Sequence, residues 1–377
     1  GEDKLRAVFG VPKLLLMVEN MFIWNIQKEY LNKRVNSPML WGYETFKGGW
    51  NKIWRKLNPT EKETFLSSDW SGFDRWALFS VIDDIHNMWR SWFDFTRYEP
   101  TDADPNAPAR LAYPVSKANP MKIDRLWKWM THAVKHTPIR GPSGTLYQWQ
   151  FNGIASGFQQ TQLLDSFVNA VMIMTCLSAS GIDINSERFV LLVQGDDNLS
   201  AFCEIVPDFC KFKAGLAKQA KTRFNATLSE EKTTIGRSLN DLEVLSYGNY
   251  HGLAQRQPAE LLAHLLYPER TQSNDAKASS CIGIAYAQMG HSIEVYNTCK
   301  NAFDFLTTEW NATPSSKWLK GYFERRGISM PKGKLRFPTF QETFLQNFDL
   351  STRSEEEMQR LWPTVPTGEY GFHFLNS

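Results

Sequence analysis

Two neighbouring acids, Asp196 and Asp197, stand in Val190-Leu191-Leu192-Val193-Gln194-Gly195-Asp196-Asp197-Asn198-Leu199-Ser200-Ala201-Phe202, between two runs of strand-forming residues. A tight turn using Gly195, which takes a positive φ at no steric cost, would lift both carboxylates out of a sheet. Ionised carboxylates side by side repel, so a divalent cation is a natural partner, and a plain Asp-containing turn is the competing reading. A further acid, Asp69, sits near the end of the apolar stretch Phe65 to Trp70, and Asp74 follows past Gly72. Acids at the ends of two separate strands suit phosphoryl transfer with two metals about 3.5–4 Å apart, which need hard oxygen ligands. As helix-capping residues the same acids would be ordinary.

Between these segments, Asn152 to Asn169 forms a Gly/Ser loop running into a helix, with Ser156 and Gly157 in the loop. Thr161, Asp165 and Asn169 fall at i, i+4 and i+8, which places their polar groups on one helix face. A polar stripe on a buried helix needs hydrogen-bond partners, either a ligand or neighbouring loops.

The elements that must position these residues follow from periodicity. Phe65 to Trp70 reads as a buried strand and Trp76 to Phe95 as a helix. Five prolines between residues 99 and 120 predict a long connection. Asp165 to Leu177 is a second helix, and Phe189 to Gln194 with Leu199 to Cys203 a hairpin around residues 195–198. Lys211 to Lys221 predicts a lysine-rich helix, Glu243 to Tyr250 a β-rich stretch, and the chain from Ala259 onward is mostly helical.

Hydrophobic residues make up 42% of the 377 and charged residues 22%, the balance of a globular chain. With 42 Lys+Arg against 40 Asp+Glu, net charge gives no bulk reason to expect nucleic acid, so any such site must come from local placement. Residues 1 to 58 are locally basic and offer one such surface. Five cysteines without a C-x-x-C pair suit a reducing, intracellular compartment. The N-terminus is no signal peptide, and the apolar run Phe167 to Leu177 is short of the ~20 residues that span a bilayer. A first residue of Gly predicts an excised or processed piece.

The order of these segments resembles the palm of viral RNA-dependent RNA polymerases: D-W-S-G-F-D for motif A, S-G-F-Q-Q-T for motif B and G-D-D-N for motif C. Lys4 to Pro12 is similar to the basic motif F, Ser229-Glu230-Glu231-Lys232-Thr233 to motif D, and Glu243 to Tyr250 to the motif E hairpin. T-Q-L-L-D-S, G-D-D-N and Leu261 to Arg270 resemble partitivirus-like double-stranded RNA viruses, with picobirnaviruses next. The resemblance covers residues 4 to 270. It implies an α+β right-hand fold, with an antiparallel palm sheet flanked by helices. The implied organisation is fingers at 1–58, palm at 59–98, a fingers insertion at 99–152, palm at 153–254 and a helical thumb at 255–377.

The same resemblance implies template-directed RNA synthesis from NTPs. Asp69, Asp196 and Asp197 would ligate Mg²⁺, with Mn²⁺ as the alternative, and Lys232 would act as general acid toward pyrophosphate. Lys4 and Arg6 would hold the triphosphate. Asp74, Ser156, Gly157, Thr161, Asp165 and Asn169 would line the nucleotide site and read the ribose. Many relatives carry Asn four residues after the motif B Thr, where this chain has Asp165, and Asn169 is the expected substitute. Expected partners are template and product RNA, NTPs and a capsid protein, with no membrane. The expected location is the virion interior and host cytoplasm. A reverse transcriptase, or a non-catalytic RNA-binding or capsid-associated protein on the same fold, is the alternative.

Overall fold

The computed structural model describes residues 9–33, 37–45, 48–57, 62–98, 116–268, 271–314 and 335–348. Its centre is a four-stranded sheet in which every pairing is antiparallel. The strands, in chain order, begin with β1 (Thr64–Ser68). Two short ribbons follow, β2 (Arg97–Tyr98) with β3 (Ser116–Lys117) and β4 (Ile139–Arg140) with β5 (Leu146–Tyr147). Then come β6 (Val190–Gln194), β7 (Asp197–Phe202) and β8 (Thr234–Gly236), and finally the pair β9 (Gly248–Tyr250) and β10 (Leu253–Gln255). The sheet order is β6-β7-β1-β8, so β1 lies between strands contributed by residues far later in the chain.

The helices explain why that sheet is buried on both faces. They are α1 (Lys13–Lys33), α2 (Gly49–Leu57), α3 (Phe79–Ser91), α4 (Pro120–His136), α5 (Thr161–Ala179), α6 (Phe209–Phe224), α7 (Pro258–Leu266), α8 (Asn274–Ala287), α9 (Ile293–Thr308) and α10 (Phe340–Leu345). Side chains alternate across a strand with period two, and Phe65 and Leu66 of β1 enter different cores, as do Leu192 and Val193 of β6. One core gathers α1, α3, α4, α5 and α6 on the Leu66 and Val193 face. The other gathers Trp50, Ile53 and Leu57 of α2 with Phe65, Leu192, Leu199 and Ala201. A third core is built by α7, α8 and α9 with Leu335 and Phe337, and among the described residues no strand residue enters it.

Several sequence expectations meet their elements with shifted ends. The strand before Asp69, the helix after it and the lysine-rich helix appear as β1, α3 and α6. Helix α5 starts four residues earlier than the expected Asp165, and at 19 residues it is long and apolar enough to cross a membrane. Here it packs instead against β6, α3 and α6, with Leu163, Leu164, Val168, Met172, Ile173, Cys176 and Leu177 buried. A helix apolar around most of its circumference is what a central core position selects. Of the proline-rich connection, residues 99–115 lie outside the described residues, and Ser116–Lys117 form β3.

The expected hairpin at 243–250 is displaced. Val244 and Tyr247 form an isolated bridge around Leu245 and Ser246, which have φ of 53° and 62°, and the ladder runs at β9 and β10. Neither Leu nor Ser announces a left-handed turn, so the sequence pattern there reads as continuous strand.

Central placement of β1 gives a direct test. Leu66 has no exposed surface, so Leu66→Ala should cost about 2–5 kcal/mol of unfolding free energy, read by denaturant titration. The exposed Met121→Ala on α4 should change it by no more than about 0.5 kcal/mol.

Candidate active site

Register alone brings the sequence-distant acids together. In the β6–β7 hairpin Gln194 pairs with Asp197, which leaves Gly195 and Asp196 as a two-residue turn, shorter than the expected 195–198. Gly195 adopts φ 58°, the left-handed conformation that such tight hairpins require. In the β1–β7 ladder Ser68 lies opposite Asn198, and one step further along that register sets Asp69 opposite Asp197. The three carboxylates are therefore neighbours at one end of the sheet.

A buried amide holds this arrangement. Asn169 of α5 has no exposed surface, and its Oδ1 accepts from Trp70 Nε1 at 2.9 Å and from Asn198 Nδ2 at 3.1 Å. Its Nδ2 donates to the carbonyls of Gly195 at 2.9 Å and Asp197 at 3.1 Å. An amide offers two donor hydrogens and two acceptor positions, and all four are spent on the hairpin and the strand beside it. Asn169 is expected to read the ribose; in this structure its hydrogen bonds go to the acidic turn, Trp70 and Asn198. Two neighbours escaped the sequence reading. Ser166 Oγ accepts from Gly195 N at 2.8 Å, and Ser68 Oγ donates to Asn198 Oδ1 at 2.7 Å. The signal for Ser166 was present, since it stands three residues before Asn169 on the same helix face.

Across a cleft of about 400 Å³ from the turn lies the loop that enters α5. Ser156, Gly157, Thr161, Asp165, Asp196 and Asp197 line this cleft. Ser156 Oγ donates to Asp74 Oδ2 at 2.8 Å, and Thr161 Oγ1 donates to the Ala155 carbonyl at 3.1 Å. Gly157 has φ 138°, and a Cβ there would stand 2.5 Å from the Phe9 carbonyl oxygen, so only glycine fits. Lys232 Nζ stands 4.0 Å from Asp69 Oδ2, which puts the expected general acid beside an expected metal ligand. Lys4 and Arg6 lie outside the described residues.

The electrostatics are those of crowded acids. Asp165 is buried with Oδ1 unpartnered, and burial first, then Asp74 and Asp196, holds its carboxyl well above the usual carboxylate range. Burial thus favours its protonated form, in which a carboxyl can donate a hydrogen bond. Asp197 is pushed up to about 6 by burial and then by Asp196, Asp69 and Glu243. Among the described residues no three such side chains converge as a ready-made metal cluster. The donor set still suits a hard divalent cation: all oxygen, and destabilised by mutual repulsion that a cation removes.

Repulsion of this kind fixes the sign of a pH effect. Between pH about 4 and 6 the folded chain keeps a proton on Asp197 that the unfolded chain has released, so stability falls as pH rises through that window. Asp197→Asn cannot ionise and should lack the fall. Allowing for partial exposure, its melt should show about 1–2 kcal/mol greater stability than wild type at pH 7 and a much smaller difference at pH 4. Equal differences at both pH values would show that Asp197 is not strained by its neighbours.

The family model for viral RNA-dependent RNA polymerase matches residues 1–307. The chain is 31% identical over 368 residues to the RNA-directed RNA polymerase of White clover cryptic virus 1, covering 96% of this chain and 58% of that protein. To the RNA-directed RNA polymerase of Atkinsonella hypoxylon virus it is 24% identical over 322 residues, 80% of this chain and 48% of the relative. The chain thus spans about half to three fifths of the length of these relatives. In fold it is similar to the crystal structure of a human picobirnavirus RNA-dependent RNA polymerase, with a TM-score of 0.57 at 13% identity, covering 96% of this chain and 61% of that one. The architecture is accordingly the α+β right-hand fold. With the family model spanning well over half of its residues, this chain belongs to the viral RNA-dependent RNA polymerases.

Proposed function

We propose that this chain carries the nucleotidyl-transfer centre of a template-directed RNA polymerase, copying a double-stranded RNA virus genome from NTPs. The observation that carries the reading is the meeting of Asp69, Asp196 and Asp197 at one end of the sheet, facing the Asp74–Ser156 pair across a single cleft. Family membership favours it over the reverse-transcriptase and non-catalytic alternatives.

Asp69, Asp196 and Asp197 would hold two divalent cations, Mg²⁺ with Mn²⁺ as the alternative, which supply the Lewis acidity for attack by the primer 3′-hydroxyl and departure of pyrophosphate. The chain's own residues do the rest. Lys232, exposed and beside Asp69, would give a proton to the departing pyrophosphate. Asp74 Oδ2 is occupied by Ser156, which leaves its second oxygen to accept from the ribose 2′-hydroxyl. Burial favours the protonated form of Asp165, which would donate to that hydroxyl's oxygen. Thr161 and Gly157 shape the wall beside them. Lys4 and Arg6 would hold the triphosphate by charge-assisted contacts, Arg6 bidentately. The palm comprises residues 59–98 and 153–254, fingers segments 1–58 and 99–152, and the thumb 255–377. The template, product and capsid partners, and activity within the virion and host cytoplasm, belong to the same reading.

Two measurements in the polymerase that contains this chain test it. Asp196→Asn should abolish nearly all NTP incorporation in a primer-extension assay with Mg²⁺ while RNA binding stays close to wild type; full incorporation would reduce the acidic hairpin to a turn. Asp74→Ala should lower the ratio of kcat/KM for NTP over dNTP by about 1–3 kcal/mol, the cost of one unpaired buried group. Equal losses for both sugars would mean that Asp74 shapes the site without reading the ribose.

A further inference from the structure

Behind the cleft wall lies a second buried polar chain, formed by Glu19 of α1, Gln160 and His86 of α3, which are 0%, 0% and 2% exposed. Gln160 Nε2 donates to Glu19 Oε1 at 2.8 Å, and His86 Nε2 stands 2.7 Å from Gln160 Oε1. Because Gln160 turns its NH₂ to the carboxylate, its oxygen faces the imidazole, so His86 must donate from Nε2. Nδ1 then carries no proton, and among the described residues it has no partner. Burial agrees, since it pushes His86 down to about 4 and keeps the ring neutral.

The same helix α1 grips the adjoining peptide from both sides. Glu19 Oε2 accepts from Gln159 N at 3.1 Å, and Gln27, two turns along α1, donates Nε2 to the Gln159 carbonyl at 3.3 Å. Upstream of α1, Phe9 N donates to the Ser156 carbonyl at 3.3 Å. The other side of this loop is the cleft wall, where Ser156 holds Asp74 and Gly157 and Gln159 face Asp196. An apolar trio of similar volume would pack at least as well as a buried carboxylate, whose own protonation burial favours. What such a trio would lack is a fixed donor and acceptor order.

We propose that Glu19, Gln160 and His86 are positioning residues that set the 156–160 loop, and through it the Ser156–Asp74 pair, at the spacing an incoming ribonucleotide requires. This rests on the polymerase reading. The order acceptor, donor and acceptor, donor runs from Glu19 through Gln160 to His86, and it can be broken and restored without changing volume. Glu19→Gln either leaves one amide oxygen to serve two N–H donors or turns the Gln160 amide over and drives the His86 proton onto the unpartnered Nδ1, so one buried N–H is orphaned either way. Gln160→Glu sets two carboxylates face to face. Together the two substitutions recover every hydrogen bond, with the amide at 19 donating to the carboxylate at 160, which still accepts from His86.

The test uses the polymerase with both single variants and the double. Each single variant should raise the NTP KM about tenfold, the effect of one lost buried hydrogen bond, with kcat falling less than about threefold. Each should also speed amide hydrogen exchange across residues 156–160. The double should return both readouts to within about twofold of wild type. Wild-type KM or wild-type exchange in the single variants overturns the proposal, and so does a double as impaired as its parents. If a single variant fails to fold, the double decides by the same two readouts. A wild-type protein that synthesises no RNA defeats the polymerase reading instead, and exchange at 156–160 in the same variants still decides whether this chain holds the loop.

Discussion

The side chain of Asn169 touches three segments that the sequence keeps far apart, and the geometry of the acidic cleft follows from that contact. It binds the turn through Gly195 and Asp197 and the strand end through Trp70, while Asn198 links it to β1 by way of Ser68. Ser68, Trp70, Asn169 and Asn198 are buried, so a missing partner among them would leave a desolvated polar atom whose cost exceeds the value of an ordinary exposed hydrogen bond. Cooperative satisfaction makes the arrangement nearly all-or-none. The acids themselves contribute no such cohesion. They repel, and they stay together because the uncharged amide network beneath them does not allow otherwise.

That division of labour between neutral scaffold and charged tip recurs on the opposite wall. Ser156 and Asp74 make the contact that faces the cleft, while Glu19, Gln160 and His86 stand behind them out of solvent. Burial raises the carboxyls of both Asp165 and Asp197, the latter to about 6. Asp165, Asp196 and Asp197 line a void of about 400 Å³, with Asp69 set opposite Asp197 and Lys232 beside Asp69. Acids crowded in this way favour a cation among them.

Much of this was legible in the sequence because it rests on local rules. Asp69 after an apolar run, Gly195 before paired acids, and the i, i+4, i+8 stripe each obey short-range geometry, and α3, α5 and α6 announce themselves by periodicity. What escaped depends on contacts between segments. No local pattern tells Asn169, which spends itself on protein, from Asp165, which lines the cleft, since both lie on the same helix face. Glu19 and His86 read as ordinary helix residues until α1 and α3 are seen to close on Gln160. The turn at Leu245 and Ser246 was invisible for the opposite reason, because those residue types favour the extended conformation that the chain does not adopt.

The place of β1 in the sheet also governs how the protein is made. Both edges of β1 are paired in the finished fold, one by β7 and the other by β8, and the Ser68–Asn198 contact joins residues 130 positions apart. During synthesis β1 therefore leaves the ribosome with two bare edges and waits on the order of 10 s for its partners to be translated. An apolar strand in that condition is a template for wrong pairing. Early helices α1 and α2 can shelter its faces in that interval, yet neither supplies the missing backbone partners. The acidic cleft thus comes into being late, when residues 190–236 arrive to close the sheet.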